Sequence, residues 1–257
     1  MMAPPATVLI VEDDEAISEA LAHQVSRGGL RVITARDGVQ GLRMFRQHRP
    51  DLVVIDLMLP QIDGWRVTEQ LRSEDPLVPV IIMSARASEH DRVHGLAIGA
   101  DDYVTKPFSM KERMARIQAH LRRAEAARTP GGRPVLEADG LRIDPDQVQA
   151  FADDVSLALT PREFEVLYTL ARRAGAPVKR PRLYREVWGY EMTPGDRSVD
   201  VFVRKLRQKL QRAVPDRAII STHYGVGYRF EPELRLAATE ERRDDGQSEP
   251  PSRAGNK

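Results

Sequence analysis

Hydrophobic and polar positions follow a regular order along the first half of the chain. Short apolar runs alternate with longer segments in which apolar residues recur every three or four positions. Continuous apolar runs are typical of strands buried on both faces of a parallel sheet, and the recurring spacing is typical of amphipathic helices. Strands are predicted at 8–11, 30–34, 53–56, 80–83 and 102–105, and helices at about 15–26, 39–47, 64–71, 89–96 and 109–123. This order predicts an α/β doubly wound domain with a five-stranded parallel sheet.

A second pattern begins after this alternation stops. Gly, Pro and charged residues cluster over 124–134 and predict a linker. The segments 136–144, 148–152 and 155–159 are short and rich in turn residues, which is typical of small antiparallel strands. Thr160 and Glu163 have the spacing of a capping box, which predicts a helix that reaches about Arg173.

The rest of the second half completes a recognisable arrangement. Helices are predicted at about 182–188 and 197–212, followed by strands at 219–222 and 227–230 that form a closing hairpin. This order predicts an α+β winged helix-turn-helix domain. The predicted boundaries are 1–123 for the first domain, 124–134 for the linker and 135–232 for the second domain. Residues 233–257 are charged and poor in large apolar side chains, which predicts a disordered tail.

Composition narrows the classes of function. The chain has no cysteine, which excludes disulfides, thiolate metal sites and cysteine nucleophiles. Its net charge is only +1, so any role with nucleic acid must come from a local patch. No apolar run approaches the roughly 20 residues that a membrane helix needs, and the first residues lack the pattern of a signal peptide. We therefore expect a soluble, cytoplasmic protein with no membrane partner.

Reactive side chains follow four of the five predicted parallel strands. Glu12 and Asp13 follow the first strand, Asp56 ends the third, Ser84 follows the fourth and Lys106 follows the fifth. The carboxyl ends of strands form the edge where open α/β sheets bind ligands. Taken singly, Asp56 is explained equally well as a cap of the next turn. Close carboxylates, however, repel one another unless a cation neutralises them, and Mg²⁺ with a lysine is how proteins hold a transferring phosphoryl group.

Two histidines of the first domain are candidate zinc ligands. His90 and His94 are four residues apart on a predicted helix, a spacing that can bind zinc. The sequence shows neither a third ligand nor an HExxH pattern, so it favours surface histidines without a metal.

Basic residues are concentrated in the second half. Residues 179–229 contain twelve Lys and Arg but only five Asp and Glu. In the helix predicted at 197–212, the apolar side is formed by Val199, Phe202, Val203, Leu206 and Leu210. The opposite side carries Arg197, Val201, Arg204, Lys205 and Gln208. Such a helix fits the major groove of DNA, although a solvated amphipathic helix has the same pattern.

The first domain resembles the receiver domain of bacterial two-component response regulators, a flavodoxin-like fold. The resemblance covers residues 7–123 and rests on VLIVEDDE at 8–15, DLMLP at 56–60 with DG at 63–64, and GADDYVTKPF at 99–108. It implies that Asp56 accepts a phosphoryl group from a sensor histidine kinase. It also implies that Mg²⁺ is held by Asp13, Asp56 and the Met58 carbonyl, with Glu12 acting through water.

The same resemblance implies a switch and a dimer. Ser84 and Lys106 would bind the phosphoryl oxygens, and Tyr103 would turn inward as Ser84 moves toward the phosphate. A homodimer would form through pairs between Arg92 and Glu112 and between Asp102 and Arg116 across a two-fold axis. From the residues alone, Tyr103 is also explained as a half-buried aromatic residue of a strand, and the charged residues as a solvated face.

The second domain resembles the effector domain of the OmpR/PhoB family. The resemblance covers about 135–231 and rests on LTPREF at 159–164, VWG at 187–189, RSVDVFVRKLRQKL at 197–210 and GVGYRF at 225–230. It implies contacts with double-stranded promoter DNA from Arg197, Ser198, Val201, Arg204, Lys205, Arg207, Gln208, Thr222 and Tyr224. Tyr224 is a departure, because an arginine often occupies this place in the wing. The loop 189–196 would face RNA polymerase in activators of the family.

Three functions are compatible with these observations. The leading hypothesis is a phosphorylation-controlled transcription factor that binds promoter DNA as a dimer and is not a turnover enzyme. A Mg²⁺-dependent phosphatase with Asp56 as nucleophile would need a second acid–base carboxylate, and Met58, two residues further on, cannot serve. A constitutive DNA-binding protein with a vestigial receiver is the third hypothesis, and the complete set of acidic, hydroxyl and lysine side chains disfavours it.

Overall fold

Five parallel strands form the centre of the first domain in a computed structural model of the chain. The structure describes residues 4–107, 109–128, 132–138, 140–215, 217–232 and 235–236. The strands are β1 (Thr7–Val11), β2 (Arg31–Ala35), β3 (Leu52–Ile55), β4 (Val80–Ser84) and β5 (Asp102–Thr105), and their order in the sheet is β2-β1-β3-β4-β5. All neighbouring strands are parallel, so the predicted sheet is confirmed. The predicted disordered tail lies outside the described residues, apart from 235–236.

Helices cover both faces of this sheet, which explains why its central strands are continuously apolar. The helices are α1 (Glu15–Arg27), α2 (Gly38–His48), α3 (Gly64–Glu74), α4 (Glu89–Ile98) and α5 (Met110–Arg128). Leu21 of α1 and Ile117 of α5 belong to one apolar cluster, and Phe45 of α2 and Leu71 of α3 belong to another. Because β1 and β3 are neighbours, the residues that follow these two strands meet at one edge of the sheet.

Helix α5 continues five residues beyond the end that the sequence predicted. The prediction ended the helix at residue 123, whereas α5 ends at Arg128, within the segment 124–134 that was predicted to be a linker. Residues 124–128 are three alanines, one glutamate and one arginine, all strong helix formers, and the first helix breaker is Pro130. The high helix propensity of these five residues therefore explains why α5 continues to Arg128.

The second domain begins with small antiparallel strands and continues with three helices. The strands are β6 (Leu136–Ala138), β7 (Leu141–Asp144), β8 (Gln149–Ala152) and β9 (Val155–Ser156), and the helices are α6 (Pro161–Ala171), α7 (Arg180–Trp188) and α8 (Ser198–Ala213). The strand predicted over 136–144 is two strands, because the chain turns at Gly140, whose φ is 81°. The capping box of Thr160 and Glu163 is confirmed at the start of α6.

A second small sheet forms the wing that was predicted from the sequence. Strands β10 (Val178–Lys179), β11 (Ile220–His223) and β12 (Gly227–Phe230) are antiparallel in the order β10-β12-β11. Strand β13 (Arg235–Leu236) pairs with β6 and completes the first small sheet of this domain. The hairpin of β11 and β12 follows α8 directly, so the arrangement is that of a winged helix.

The two domains are packed against each other. Helix α8 lies beside α4, and one apolar cluster contains both Leu96 of α4 and Phe202 of α8. Trp188, at the end of α7, is fully buried, and its indole Nε1 donates a hydrogen bond of 3.1 Å to the Asp101 carbonyl oxygen. The position of α8 on α4 decides which of the predicted functional residues are accessible.

Candidate functional site

Three carboxylates meet at the edge of the parallel sheet. One carboxylate oxygen each from Glu12, Asp13 and Asp56 lie within 4.8 Å of one another. Within the described part of the chain, this is the only group of three or more His, Cys, Asp or Glu side chains placed to hold a metal ion. Glu12 and Asp56 are buried and Asp13 is exposed, so the cluster opens to solvent on one side. An all-oxygen donor set of this kind fits Mg²⁺.

Lys106 is bonded to two of these carboxylates. Its Nζ lies 3.0 Å from Glu12 Oε2, and it also donates to Asp56 Oδ2. Burial opposes the charge on Lys106, but the hydrogen bonds to Asp56 and Glu12 outweigh burial and raise its pKa. Burial also raises the pKa of Glu12 to about 7, where the bond from Lys106 acts in the opposite direction. One lysine beside three carboxylates leaves a net negative charge that a divalent cation would neutralise.

Gly64 explains how the chain can turn so closely behind Asp56. A Cβ atom on residue 64 would lie 2.2 Å from the Asp56 carbonyl oxygen, so only glycine fits. Asp63 caps α3 through a hydrogen bond of 2.9 Å from the Arg66 N–H. The backbone N–H of Met58 donates to Asp56 Oδ1 at 3.1 Å, while the Met58 side chain is exposed. The DG pair at 63–64 therefore holds the loop that follows Asp56.

Ser84 and Tyr103 are both bonded to Arg86. Ser84 is fully buried, and its hydroxyl accepts a hydrogen bond of 3.3 Å from the Arg86 N–H. The Tyr103 hydroxyl donates to the Arg86 carbonyl at 2.7 Å, and its ring stacks on Trp65 with the ring centroids 6.5 Å apart. Burial raises the pKa of Tyr103 to about 12. The ring of Tyr103 therefore connects the surroundings of Ser84 to the cluster that joins the two domains.

Asp102 and Arg116, which were predicted to form a dimer contact, are both bonded to Tyr190 of the same chain. The sequence did not single out Tyr190. Arg116 NH1 lies 3.1 Å from Asp102 Oδ2 and donates to the Tyr190 hydroxyl at 2.7 Å. Tyr190 also donates to Asp102, and its ring lies 4.2 Å from the Arg116 guanidinium carbon. Burial alone would raise the pKa of Asp102, but Arg116 and His120 outweigh burial and hold it well below its usual range. The position of Tyr190, a large aromatic residue two positions after Trp188, is the signal in the sequence that could have indicated a buried contact.

The other predicted dimer pair is only partly described. Arg92 NH2 forms an ion pair of 3.0 Å with Asp196 Oδ2, which belongs to the loop between α7 and α8. The side chain of Glu112 lies outside the described residues. The loop 189–196, predicted to face RNA polymerase, therefore contacts the first domain through Tyr190 and Asp196.

The predicted DNA-binding residues of α8 fall into two groups. Arg204 and Gln208 are exposed, and so is Tyr224 of the wing, at 94%. Lys205 instead donates to the Leu96 carbonyl of α4 at 3.1 Å, and Arg197 lies 3.3 Å from Glu89 of the same helix. The rest of the predicted set are Ser198, Val201, Arg207 and Thr222.

One prediction for this helix is wrong. Val201 was predicted on the exposed side, but it is only 8% exposed and lines a groove with Val93 and Ala97 of α4. Ser198 is buried as well. The predicted apolar side is buried throughout, so periodicity identified the side that faces the second domain. It did not identify a second contact with α4.

Arg207 and Thr222 are half-buried and hold the wing. Arg207 donates to the Ile220 carbonyl at 3.0 Å and to Thr222 Oγ1 at 2.8 Å. This pair fixes strand β11 against α8.

The rings of His90 and His94 stack with their centroids 6.4 Å apart, without a third metal ligand among the described residues. Among the helices described, none combines the length and apolarity required to cross a membrane.

Comparisons with known proteins agree with both halves of this structure. Residues 8–118 match the family described as "Response regulator receiver domain", and residues 154–230 match "Transcriptional regulatory protein, C terminal". The chain is 40% identical over 230 residues to the alkaline phosphatase synthesis transcriptional regulatory protein PhoP of Bacillus subtilis, covering 87% of this chain and 96% of PhoP. It is 41% identical over 226 residues to the transcriptional regulatory protein AfsQ1 of Streptomyces coelicolor, covering 88% and 98%. The solved structure of a RitR mutant superposes with a TM-score of 0.69 at 25% identity, covering 88% of this chain and 99% of RitR.

Proposed function

Because the chain belongs to the OmpR/PhoB family of two-component response regulators, transcriptional regulators with a receiver and a DNA-binding domain, we propose that phosphorylation of Asp56 controls its access to promoter DNA. The donor is a sensor histidine kinase. The observation that carries this proposal is the packing of α8 on α4, which engages Lys205 and Arg197 with the receiver. The unphosphorylated chain is therefore a closed form that binds DNA weakly.

The chemistry at Asp56 is a transfer of one phosphoryl group. A carboxylate oxygen of Asp56 attacks phosphorus, the bond to the donor's histidine nitrogen breaks, and an acyl phosphate forms. Lys106 already contacts Asp56, so its ammonium is placed to bind an oxygen of the new group. Glu12, Asp13, Asp56 and the Met58 carbonyl are the groups that would hold Mg²⁺. The ion, when bound, supplies positive charge that stabilises the phosphoryl oxygens.

Opening of the closed form begins at Ser84. Its hydroxyl oxygen now accepts from the Arg86 N–H, and its O–H would donate to a phosphoryl oxygen on Asp56 and draw the side chain toward that group. Tyr103, bonded to the Arg86 carbonyl, would then lose its present partner and repack within the cluster shared by the two domains. Contacts that exist only after phosphorylation are what shift a two-state equilibrium.

Release of the interface exposes two surfaces at once. Once Tyr190 has left, Asp102 and Arg116 can form pairs with a second copy of the chain, as can Arg92 and Glu112, giving a homodimer. Helix α8 becomes free to enter the major groove, where Arg197, Ser198, Val201, Arg204, Lys205, Arg207 and Gln208 contact bases or phosphates, with Thr222 and Tyr224 on the adjacent backbone. The loop 189–196 also becomes accessible to RNA polymerase.

The closed arrangement separates this proposal from the two alternatives raised by the sequence. A constitutive DNA-binding protein needs its recognition helix free without modification, whereas Val201 and Lys205 of α8 contact the receiver. A phosphatase that uses Asp56 needs an acid–base carboxylate besides those that would hold the metal ion. Glu12 and Asp13 belong to the metal cluster, and the position two residues after Asp56 carries the exposed side chain of Met58.

The experiment that tests the proposal combines mass and DNA affinity. The full chain is incubated with acetyl phosphate and Mg²⁺, and its intact mass and its affinity for DNA selected from random sequences are measured. We expect one added phosphoryl group and tighter DNA binding. Asp56→Asn should lose both effects, and Asp63→Asn, which keeps a good helix cap outside the carboxylate cluster, should retain both. Phosphorylation without a change in DNA affinity would contradict the proposed control of access.

A further inference from the structure

A cavity of about 210 Å³ lies between the two domains, away from the residues assigned above. Its wall is formed by the loop before β4, by helix α5, by the turn between β7 and β8, and by the start of α6. We propose that this cavity binds a small organic anion that carries a single acidic group on an apolar body.

Arg162 provides the positive charge on one side of the cavity. It is only 4% exposed, its guanidinium carbon lies 4.7 Å from the centre of the Trp188 ring, and it donates to the Val187 carbonyl. Its NH2 group lies 2.9 Å from Nδ1 of His120. Its Nε is buried without a hydrogen-bond partner, and none of the described carboxylates forms an ion pair with it. A buried charge without a counter-charge is costly, so a bound anion would be strongly stabilising here.

Arg123 is a second cation on the same wall. Its NH1 donates to the Trp188 carbonyl at 2.7 Å and its NH2 to the Glu186 carbonyl at 3.3 Å. Carbonyl groups satisfy these donors without neutralising their charge. Burial and the nearby charge of Arg162 lower the pKa of Arg123 to about 10. The positive charges of Arg123 and Arg162 repel each other, and an anion bound between them would relieve this repulsion.

The carboxylates of the wall already have their own partners. Asp101 forms an ion pair with Arg72 and accepts from a backbone N–H, and Glu165 lies 2.8 Å from Arg133. Asp75 accepts hydrogen bonds from the backbone N–H groups two and three residues further on. The charges of Asp101 and Glu165 are therefore balanced by other arginines, and Asp75 is hydrogen-bonded within its own loop. Arg123 and Arg162 remain the cations that a ligand can neutralise.

The remaining wall selects the body of the ligand. Leu77, Pro79, Val148 and Pro161 line the cavity with apolar surface. The volume is below the roughly 300–1,000 Å³ that is typical for drug-sized ligands, which favours a single ring or a short branched chain. A carboxylate can accept two parallel hydrogen bonds from a guanidinium group. A monocarboxylic acid of this size is therefore the ligand class that matches both the charge and the shape.

Leu77 allows a test that does not disturb the buried residues. It lines the cavity but is 49% exposed, so either charge can be placed there without burying it. The full, unphosphorylated chain is titrated with benzoate and with the neutral isostere benzamide, with binding followed by ligand-observed NMR. We expect saturable binding of benzoate only, a loss of affinity of about tenfold or more in Leu77→Glu, and retained affinity in Leu77→Lys.

Arg162→Gln gives the second arm, with Arg66→Gln, an exposed arginine of α3, as the matched control. The midpoint of thermal unfolding is recorded for each variant to show that it is folded. Loss of benzoate binding in a folded Arg162→Gln, but not in Arg66→Gln, supports the site. Equal binding of benzoate and benzamide would overturn the proposal, as would the absence of benzoate binding or equal affinities of the two Leu77 variants.

Discussion

The acidic pocket and helix α8 are both complete in this structure, but they differ in access. Glu12, Asp13 and Asp56 are already gathered within 4.8 Å, and Asp13 reaches solvent. Helix α8 is also fully formed, yet Lys205 and Val201 are engaged with α4 of the receiver. Under the proposed function, the acidic pocket needs only a cation and a phosphoryl group, whereas α8 must lose its contacts with α4. The proposed control therefore uncovers a surface that is already formed.

The two regions also differ in how their charges are balanced. In the acidic pocket, Lys106 faces more than one carboxylate, so the site keeps a net negative charge that attracts a cation. Beside α4 and β5, Arg92 pairs with Asp196 across the domain interface, and Arg116 pairs with Asp102 within the receiver and donates to Tyr190 of the second domain. A region with unbalanced charge invites a ligand, and a region with paired charges resists opening. Each of the following substitutions changes one side of this contrast.

The largest effect is expected from Asp13→Asn, which breaks the completeness of the acidic pocket. Loss of one of three carboxylates should lower Mg²⁺ affinity, and with it the rate of phosphorylation by acetyl phosphate, by at least the roughly 10–100-fold that loss of supporting groups causes in metal sites. Calorimetric titration with Mg²⁺ and the rate of mass gain measure both. Asp14→Asn is the matched control, because Asp14 is the exposed neighbour that caps α1, and asparagine caps equally well. Equal effects of the two substitutions would show that the pocket does not bind the ion.

The next effect is expected from Arg204→Ala, which tests whether α8 is the output surface. Arg204 is exposed on α8, so its removal should leave the midpoint of thermal unfolding unchanged. If Arg204 contacts a base, DNA affinity of the phosphorylated chain falls by about 1–3 kcal/mol for the selected sequence, and if it contacts a phosphate, the salt slope falls by about one. Arg212→Ala, an exposed charge in the last turn of the same helix, is the control with the smaller expected loss. If Arg204→Ala changed neither the DNA affinity nor its salt dependence, the prediction that α8 contacts DNA through Arg204 would be contradicted.

The contrast between the two regions also explains what the sequence could and could not predict. The parallel sheet, the carboxylate cluster and the wing follow from local patterns: apolar runs, residues at strand ends, and a capping box. Each of these patterns is encoded by residues close together in the chain or by the repeated strand–helix–strand connection of the first domain. The acidic pocket was therefore predictable almost completely.

The contact between the domains was not predictable in the same way. Periodicity assigned Val201 to an exposed side, because it reports how a helix faces its own domain and not a second neighbour. Tyr190 belongs to the loop 189–196, predicted to face RNA polymerase, but it is half-buried and donates to Asp102. Local sequence patterns do not encode which surface of another domain a loop contacts. The contacts of Tyr190 and Val201 depend on how the two domains pack together.

A moderate effect is expected from Arg92→Ala, which weakens the paired charges at the interface. The pair with Asp196 is partly screened, since 24% of the Arg92 side chain is exposed, so the closed form should lose on the order of 1 kcal/mol. DNA affinity of the unphosphorylated chain should therefore rise several-fold, measured by fluorescence anisotropy. Arg66→Ala removes an exposed arginine of α3 and should leave this affinity unchanged. A rise in both variants would show that the gain does not come from the Arg92–Asp196 pair, because loss of a positive charge by itself weakens binding to DNA.

The smallest effect is expected from pH, through a buried histidine at the interface. His120 is 3% exposed and faces Arg162, Asp101 and Asp102, with its Nε2 3.6 Å from Asp102 Oδ2. Burial, and then the charge of Arg162, lower the pKa of His120 below its ordinary value. The depressed pKa of Asp102 matters only in more acidic solution, because its contribution to stability is fully present above the unfolded value of about 3.9.

The sign of the pH effect follows from which state binds the proton. Below the ordinary histidine pKa of about 6.5, the unfolded chain takes up a proton that buried His120 does not, so the free energy of unfolding falls as pH falls toward the folded pKa. His120→Gln should flatten this decline, by at most about 1.4 kcal/mol per pH unit, in thermal melts between about pH 7 and 5.5. His23→Gln, an exposed site on α1, should leave the decline as it is. If both variants keep the decline of the parent chain, His120 is not the group that couples the interface to pH.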